Sequence, residues 1–494
     1  MTRSVGIVSR LFLAGLIVAV CVRCAPVGPD YARPKFPLAE KWNTAPGTGL
    51  HAGAVDPAEL GTWWEMLHDP VLTGLIRRAI AGSLDVKKAK AKVREARART
   101  GVARAEYFPK LDASGAYTKS RSTDVSGNAP ETDLFSALLD SRWELDIFGG
   151  TRRAVEAARE TEEASRESLR DTLVSLTAEL GLNYVGARTY QMRIAVAQDN
   201  LKAQEETYQL ARWKYLAGLD TELAVQQARY NLEYTRSQIP ALRTGLEESM
   251  NRIAVLLGEQ PGGVHAELAP AGPIPVPPRE AAVGVPADVL RQRPDVRKAE
   301  RELAAQTAQV GVATAELYPK LTLKGSIGLN AETLSTQFLT GSHSYSVGPS
   351  LALPVFRGGA IRKNIEVQSA LQEQALVAYE SGVLTALEEV ENALAAYEQE
   401  HDTRRALAES AEAARQAATL AESMYSAGSK DFTSVLEAQR SLLTYQDQLA
   451  KSEGTVTSNF IRLYKALGGG WTVVLPETAE LKNRQDSVGG HDKL

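Results

Sequence analysis

The sequence predicts an α+β membrane protein made of two repeats of about 210 residues, each a β-hairpin plus a long coiled-coil helical hairpin. Three observations support this fold class: an internal repeat, stretches in which apolar and polar residues alternate, and long segments with apolar residues every four and three positions. Because each copy supplies only two strands, we expect trimers whose 12 strands close a membrane β-barrel, continued by an α-helical barrel.

The composition excludes several classes of protein. The 494 residues carry 56 Lys+Arg against 60 Asp+Glu, a net charge of −4, so no basic excess indicates binding to nucleic acid. A hydrophobic content of 44% is typical of a folded chain. Beyond the first 25 residues, no apolar run approaches the ~18 to 20 residues of a membrane-spanning helix. A polytopic helical membrane protein is therefore not expected.

The N-terminus has the pattern of an export signal. Arg3 and Arg10 precede an apolar run over 11–22, which predicts a signal peptide at 1–23. Both cysteines, Cys21 and Cys24, stand at its end, so no disulfide is expected further along the chain. We predict lipid attachment at Cys24. Arg23 is unfavourable just before a cleavage site, and Cys21 after Val20 is no better.

The internal repeat defines the domain organisation. Residues 101–111 (GVARAEYFPKL) and 311–321 (GVATAELYPKL) are identical at eight of eleven positions, at an offset of 210. Seven prolines over 259–286 indicate an extended connector between the copies. The predicted segments are a signal peptide (1–23), an N-terminal lipoprotein segment (24–69), the first repeat (70–258), the connector (259–286), the second repeat (287–468) and a polar tail (469–494).

Each repeat begins with a predicted helix, at 70–106 and 286–316, followed by two strands. The strands are predicted at 109–120 with 135–148 and at 319–330 with 344–356, joined by polar loops at 121–134 and 331–343. A soluble sandwich would show the same alternation, but strands of 10 to 12 residues with a wet face suit a barrel that crosses a bilayer.

Long helical hairpins complete each repeat. From Leu169 to Tyr215, fourteen positions in steps of four and three carry only two residues that are neither apolar nor aromatic, and Tyr379 to Tyr425 repeats the pattern. The first seam predicts a helix from Arg152 to Leu216, roughly 100 Å long. Gly218 and Gly428 mark the turns, after which helices are predicted at 221–257, with a kink at Pro240, and at 431–467.

One face of the third predicted segment of alternation is strongly charged. A trimer of two-stranded hairpin pairs leaves room for water inside the barrel, whereas eight strands from a dimer would be filled by side chains. We therefore assign the charged residues to the barrel lumen: Asp140, Arg142, Glu144 and Asp146.

Four motifs resemble the TolC-like outer-membrane factor family, in its lipoprotein branch associated with efflux. They are residues 24–31 (CAPVGPDY), Trp63-Trp64 with Asp69-Pro70, residues 286–297 (PADVLRQRPDVR) and residues 354–359 (PVFRGG). The resemblance covers residues 24–471.

The resemblance implies a trimer with an outer-membrane barrel, a helical periplasmic tunnel and a lipid anchor in the outer membrane. It also implies two partners, a periplasmic adaptor (membrane fusion) protein and an inner-membrane pump driven by protons or ATP. We expect a proton-driven pump and a passive exit duct for drugs or other small molecules. The channel of a type I protein secretion system is an alternative, and a periplasmic coiled-coil lipoprotein without a pore is another.

By the same resemblance, the tunnel closes at its periplasmic end. Alignment on Tyr425 places Lys430, Ser434 and Glu437 where the family carries polar gate residues. Three copies of Glu437 would form a ring of carboxylates that favours cations. The alternative is an ordinary surface glutamate paired with Arg440.

Two Tyr-x-x-Gly turns are candidates for adaptor docking. The resemblance assigns this role to Tyr215 with Gly218 and to Tyr425 with Gly428. Both glycines also have a structural role as the residues that end a helix.

No catalytic or metal-binding motif appears in the sequence. The six histidines are scattered, and neither a nucleophile elbow nor a phosphate-binding loop is present. We therefore expect no enzyme activity, no metal and no cofactor.

Overall fold

The computed structural model describes residues 26–37, 39, 41–44, 50–51, 57–121, 131–278, 281–284, 286–332 and 343–471. The predicted signal peptide, Cys21, Cys24, most of both predicted loops and the tail after Trp471 lie outside the described residues.

The described helices and strands follow the predicted repeat. The helices are α1 (Pro57–Gly61), α2 (Pro70–Gly82), α3 (Leu84–Ala105), α4 (Gly150–Leu216), α5 (Glu222–Leu257), α6 (His265–Leu268), α7 (Pro286–Gln292), α8 (Pro294–Ala315), α9 (Ala360–Ser426) and α10 (Phe432–Ala466), and a 3-10 helix covers Trp63–Leu67. The strands are β1 (Leu50–His51), β2 (Lys110–Arg121), β3 (Glu131–Leu145), β4 (Ala281–Ala282), β5 (Lys320–Ala331) and β6 (His343–Ala352). Each repeat is thus a β-hairpin followed by a long helical hairpin, and the predicted architecture is confirmed.

Two compact units divide the chain, and each takes residues from both repeats. One unit comprises 1–35, 92–166 and 298–381, and the other comprises 36–91, 167–297 and 382–494. The first unit contains the four-stranded sheet. The second contains the ends of the long helices, together with the Trp63–Trp64 pair and the connector. The predicted repeats are therefore divisions of the sequence, which the compact units cut across.

The main sheet joins one hairpin from each repeat. Its strand order is β2-β3-β5-β6, and all three pairings are antiparallel. Paired residues share a face, so the register separates the side chains of the two faces. The apolar face carries Leu139 opposite Ile327, and Ile327 opposite Tyr345. The other face carries Asp140 opposite Ser326, and Ser326 opposite Ser346.

Two strands end earlier than the sequence predicts. The last strand stops at Ala352 instead of continuing to 356, because Pro354 has no N–H to donate to the ladder. Similarly, β3 stops at Leu145 instead of 148, where the N–H of Ile147 donates to the carbonyl of Leu145 at 2.8 Å in a tight turn. The chain then turns directly into α4.

Both predicted first helices are in fact two helices. The first is broken at Ser83, whose extended backbone (φ −51°, ψ 133°) separates α2 from α3. A Cβ on Gly82 would stand 2.3 Å from the carbonyl oxygen of Leu257, so the break lies against the end of α5. In the second repeat the break falls at Arg293. Pro294 excludes helical geometry for the residue before it and begins α8.

The long helices match the prediction closely. Both α4 and α9 run for 67 residues, and α5 and α10 run for 36 and 35 residues. Helix α5 continues through Pro240. Residues of the predicted seam are buried, among them Leu173, Leu180 and Ala187 in α4 and Val383, Val390 and Tyr397 in α9.

Within the described part of the chain, no helix combines the length and the apolar character needed to cross a membrane.

The Arg-Pro-Asp sequence at 293–295 forms a buried ionic cluster. The side chain of Arg293 is almost fully buried and donates to Asp295 at 2.7 Å, to Glu389 at 2.6 Å and to the carbonyl of Ala466 at 2.7 Å. Burial alone would raise the pKa of Asp295, but the hydrogen bonds from Arg293 outweigh burial and lower it. One guanidinium thus ties the start of α8 to α9 and to the end of α10.

We expect Arg293→Ala to lower the free energy of unfolding by about 2 kcal/mol, because a buried carbonyl and two carboxylates lose their charged donor. The loss is measured as a shift in denaturant or thermal unfolding followed by circular dichroism. Arg415→Ala is the control, since its pairing with Glu412 is fully exposed on the surface of α9 and should leave stability unchanged. Equal shifts in the two variants would contradict a structural role for the cluster.

Candidate functional sites: the helix turns and the polar sheet face

Two similar turns connect the long helices. We call residues 217–221 the first turn and residues 427–431 the second turn. In each, a glycine with positive φ (71° at Gly218, 75° at Gly428) ends the preceding helix. The next N–H donates back to the helix, from Leu219 to the carbonyl of Lys214 and from Ser429 to that of Met424. This is the Schellman arrangement, so each turn keeps its shape through its own backbone hydrogen bonds.

The following helices begin with side-chain caps. Thr221 accepts the N–H of Ala224 at 3.4 Å, and Asp431 accepts that of Ser434 at the same distance. The hydroxyl of Ser434 also donates to Asp431 at 3.0 Å. Ser434, predicted as a gate residue, is therefore engaged in starting its own helix.

An apolar cluster joins the two helical hairpins beside the turns. The ring of Tyr425 lies 5.4 Å from that of Phe432, and both are buried. The cluster consists of Ala211, Ala224, Ala228, Tyr425, Phe432, Val435 and Leu436. Ala224 occupies a position where the family resemblance allows an acid, and its burial explains a small apolar side chain there.

Tyr425 forms the most direct polar link between the hairpins. Its hydroxyl donates to the carboxylate of Asp220, in the first turn, at 2.6 Å. Lys214 lies over the tyrosine ring at 3.9 Å from the centroid and donates to the backbone carbonyl of Tyr425. Burial and the hydrogen bond to Asp220 both raise the pKa of Tyr425, so the hydroxyl stays protonated and remains a donor at neutral pH. The end of α9 is thereby tied to the first turn.

Further polar links follow at intervals of seven residues along α4. Arg193 makes two hydrogen bonds to Asp447, at 2.7 and 2.9 Å. Asn200 donates to Gln446 at 2.7 Å, and Thr207 accepts from Gln439 at 2.8 Å. Lys214 continues the series at the turn. Because seven residues return to the same side of a helix, these links form one stripe between the first and second repeats.

The structure separates the predicted gate residues. Tyr425 is buried in the cluster, whereas Lys430 and Glu437 are exposed and make no hydrogen bond or ion pair with any described residue. Glu437 does not pair with Arg440. Arg440 donates instead to Asn231 at 3.1 Å and lies over the ring of Tyr230.

Sequence reasoning missed Asp220. The internal repeat contains a signal for it, because the offset of 210 aligns Asp220 with Lys430. The two turns thus carry opposite charges at equivalent positions. The pairing with Tyr425 could not be read from this alignment, since it joins non-equivalent positions of the two repeats.

The two docking candidates differ in environment. Tyr215 is 42% exposed, but its equivalent Tyr425 is only 3% exposed. Gly218 and Gly428 have open space where a side chain would begin, so a substitution there would strain the backbone without a steric clash.

A second candidate site is the polar face of the sheet. Three of the predicted lumen residues, Asp140, Arg142 and Glu144, alternate with apolar residues on β3. The register adds residues that the sequence analysis did not select. Lys110 and Lys324 lie opposite Arg142 on either side, and Asp112 lies opposite Asp140.

Asp146 lies beyond the end of β3 and is not part of this face. Its carboxylate accepts the N–H groups of Thr151 and Arg152 at 3.0 and 2.9 Å. It is therefore a cap for α4, where a negative charge also suits the helix dipole.

Among the described residues, no group of His, Cys, Asp and Glu side chains is placed to hold a metal ion.

Comparison with known proteins identifies the family. Residues 75–259 and 285–469 match the family described as outer membrane efflux protein. The chain belongs to that family. It is 34% identical to nodulation protein T of Rhizobium leguminosarum bv. trifolii over 460 residues, 93% of this chain and 96% of the relative. It is 30% identical to the toluene efflux pump outer membrane protein TtgC of Pseudomonas putida, over 93% of this chain and 95% of TtgC.

The fold agrees with solved structures of outer-membrane channels. The structure of the outer-membrane channel OprN superposes with a TM-score of 0.85 at 35% identity, over 90% of this chain and 99% of OprN. The chain is accordingly the outer-membrane exit duct of an efflux system. The family consists of channel and efflux-duct proteins, in keeping with a chain that shows no catalytic motif.

We expect Tyr425→Phe to open the duct more often, because the ring packing is kept while the hydrogen bond to Asp220 is lost. Loss of about 1.5 kcal/mol from a bond to a charged acceptor corresponds to a roughly tenfold rise in the open fraction. Single-channel recording of the protein in planar bilayers measures this.

Tyr215→Phe is the matched control, because the hydroxyl of Tyr215 has no hydrogen-bond partner among the described residues. The same change in both variants, or none in either, would contradict the proposed role of the link.

Proposed function

We propose that three copies of this chain form one continuous duct. Strands β2 and β6 are each paired on one side only in the described sheet, so both sheet edges carry backbone groups that need partners. Inside a bilayer such edges are satisfied only by closure into a barrel. Three four-stranded sheets give 12 strands, the number for which the interior remains open to water.

The polar sheet face becomes the lumen of this barrel. The row of Lys110, Arg142 and Lys324 would repeat threefold as a belt of cations, next to a belt of anions from Asp112 and Asp140. The opposite face, with Ile327 and the other apolar residues, would contact lipid. Adjacent belts of both signs suit a duct that passes solutes of either charge.

The chain depends on partners for energy and for contact with the inner membrane. Its sequence contains no nucleotide-binding motif. We therefore assign a periplasmic adaptor protein and an inner-membrane pump, which we expect to be proton-driven, as in the proposal from the family resemblance. The adaptor docks at the two turns, around Tyr215 with Gly218 and Tyr425 with Gly428. The lipid anchor at Cys24 likewise belongs to this proposal.

The gate consists of a buried lock and an exposed charged ring. Tyr425 with Asp220 is the lock, because it ties the end of α9 to the first turn. Glu437 and Lys430 are exposed and unpaired among the described residues of the single chain, and threefold symmetry would repeat each of them around the pore. Ser434 supports the start of α10.

The trimer is tested by native mass spectrometry and planar-bilayer recording on the same detergent preparation. We expect the mass of three chains and small, cation-selective openings, because the carboxylates of Glu437 line the closed end. Monomers without conductance would overturn the duct.

Glu437→Ala should raise the conductance and reduce the preference for cations, since it removes one carboxylate from each copy. Reversal potentials under a salt gradient measure the preference. Gln227→Ala is the control, because Gln227 is the uncharged equivalent of Glu437 in the first repeat. Unchanged conductance and selectivity in Glu437→Ala would remove this residue from the gate.

A further inference from the structure

Four large apolar side chains are exposed around the first turn. They are Trp213, Leu216, Leu219 and Leu223, with 65, 71, 77 and 66% of their surfaces accessible in the single chain. We call them the first-turn patch. They lie on the last turn of α4, in the first turn itself and at the start of α5. Exposed apolar side chains that are grouped in this way mark a surface that another molecule covers.

The second turn shows what the same backbone carries when it stays in water. At the offset of 210, the four equivalent residues are Ser423, Ser426, Ser429 and Thr433, and all are exposed. Every apolar residue of the patch therefore has a hydroxyl residue at its equivalent position. Since the two turns share glycine geometry and backbone hydrogen bonds, the fold does not require the apolar residues. Their presence in one turn only requires a separate explanation.

The backbone of the first turn offers nothing further for a partner to recognise. Its N–H groups and the carbonyls before it are engaged in the Schellman bonds and in the cap at Thr221. The nearest carboxylate, that of Asp220, is already bonded to Tyr425. Recognition of the first turn must therefore come from apolar contact, which suits a partner surface with small or aliphatic side chains.

A neighbouring copy of this chain is a poor match for the patch. In a closed trimer the first-repeat and second-repeat hairpins alternate around the ring. The turn beside each first turn would then be a second turn, which presents the four hydroxyl residues. The patch also wraps around the end of its hairpin, where a partner approaches along the helix direction.

We propose that the first-turn patch receives an apolar helical-hairpin tip of the periplasmic adaptor, and that the second turn supplies no apolar docking surface. This inference rests on the proposed function and deepens it. Each chain then has one apolar docking site, so a trimer has three equivalent strong sites instead of six. A patch of four side chains is small for a stable interface, and three linked sites reach useful affinity through multivalency.

Exchanging the residues of the two turns tests the proposal. The first variant carries Trp213→Ser, Leu216→Ser, Leu219→Ser and Leu223→Thr, which are the residues that the second turn already uses. The matched control carries Ser423→Ala, Ser426→Ala, Ser429→Ala and Thr433→Ala. The probe is the purified periplasmic adaptor whose gene lies beside that of this chain. Its binding to immobilised trimers is measured by biolayer interferometry, and the trimer mass is measured in parallel.

We expect the first variant to bind the adaptor about 100-fold more weakly and the control to stay within about threefold of wild type. Equal weakening in both variants, or none in the first, would overturn the proposal. So would a first variant that falls apart into monomers while the control stays trimeric, because the patch would then be covered by a neighbouring copy. Failure of the wild-type trimer to bind the adaptor would instead contradict the proposed function itself.

Discussion

Packing along the seams of the long helices is the constraint on which the rest of this structure depends. Residues such as Leu173 and Leu180 on α4 are buried at steps of four and three, and the same steps recur on α9. Without this packing, helices of 67 residues could not persist in water, because helix propensity alone contributes little. The turns, the Tyr425 link and the polar stripe all take their positions from the register of these seams.

Gene duplication has given this chain two copies of one backbone with different chemistry. Lys430 stands where the first repeat has Asp220, and a buried Tyr425 stands where it has an exposed Tyr215. The resulting contacts join unlike positions of the two copies, as in the hydrogen bond from Tyr425 to Asp220. A symmetric pair of turns could not form this bond, since each copy would offer the same groups. Divergence after duplication is therefore what couples the two hairpins.

Periodic features of the sequence predicted most of the fold. The repeat, the strands and the helices from 152 to 216 and from 431 to 467 follow from patterns that many residues share. What the sequence analysis missed depends on single residues and on contacts distant in the chain. Ser83 breaks a helix because Gly82 meets the end of α5, and Asp146 leaves the sheet face to cap α4. Neither contact leaves a periodic trace, and the same holds for the pairing of Arg440 with Asn231.

The pairing of β3 with β5 has a consequence for how the protein is made. Each hairpin can form from neighbouring residues, but this pairing joins Leu145 to Leu321 and Phe135 to Ala331. The edge of the first hairpin must therefore wait while about 190 further residues are synthesised and exported, and such distant pairings form slowly. An apolar strand edge left open for that time invites aggregation. Productive biogenesis thus depends on chaperones that shield the first hairpin until its partner arrives.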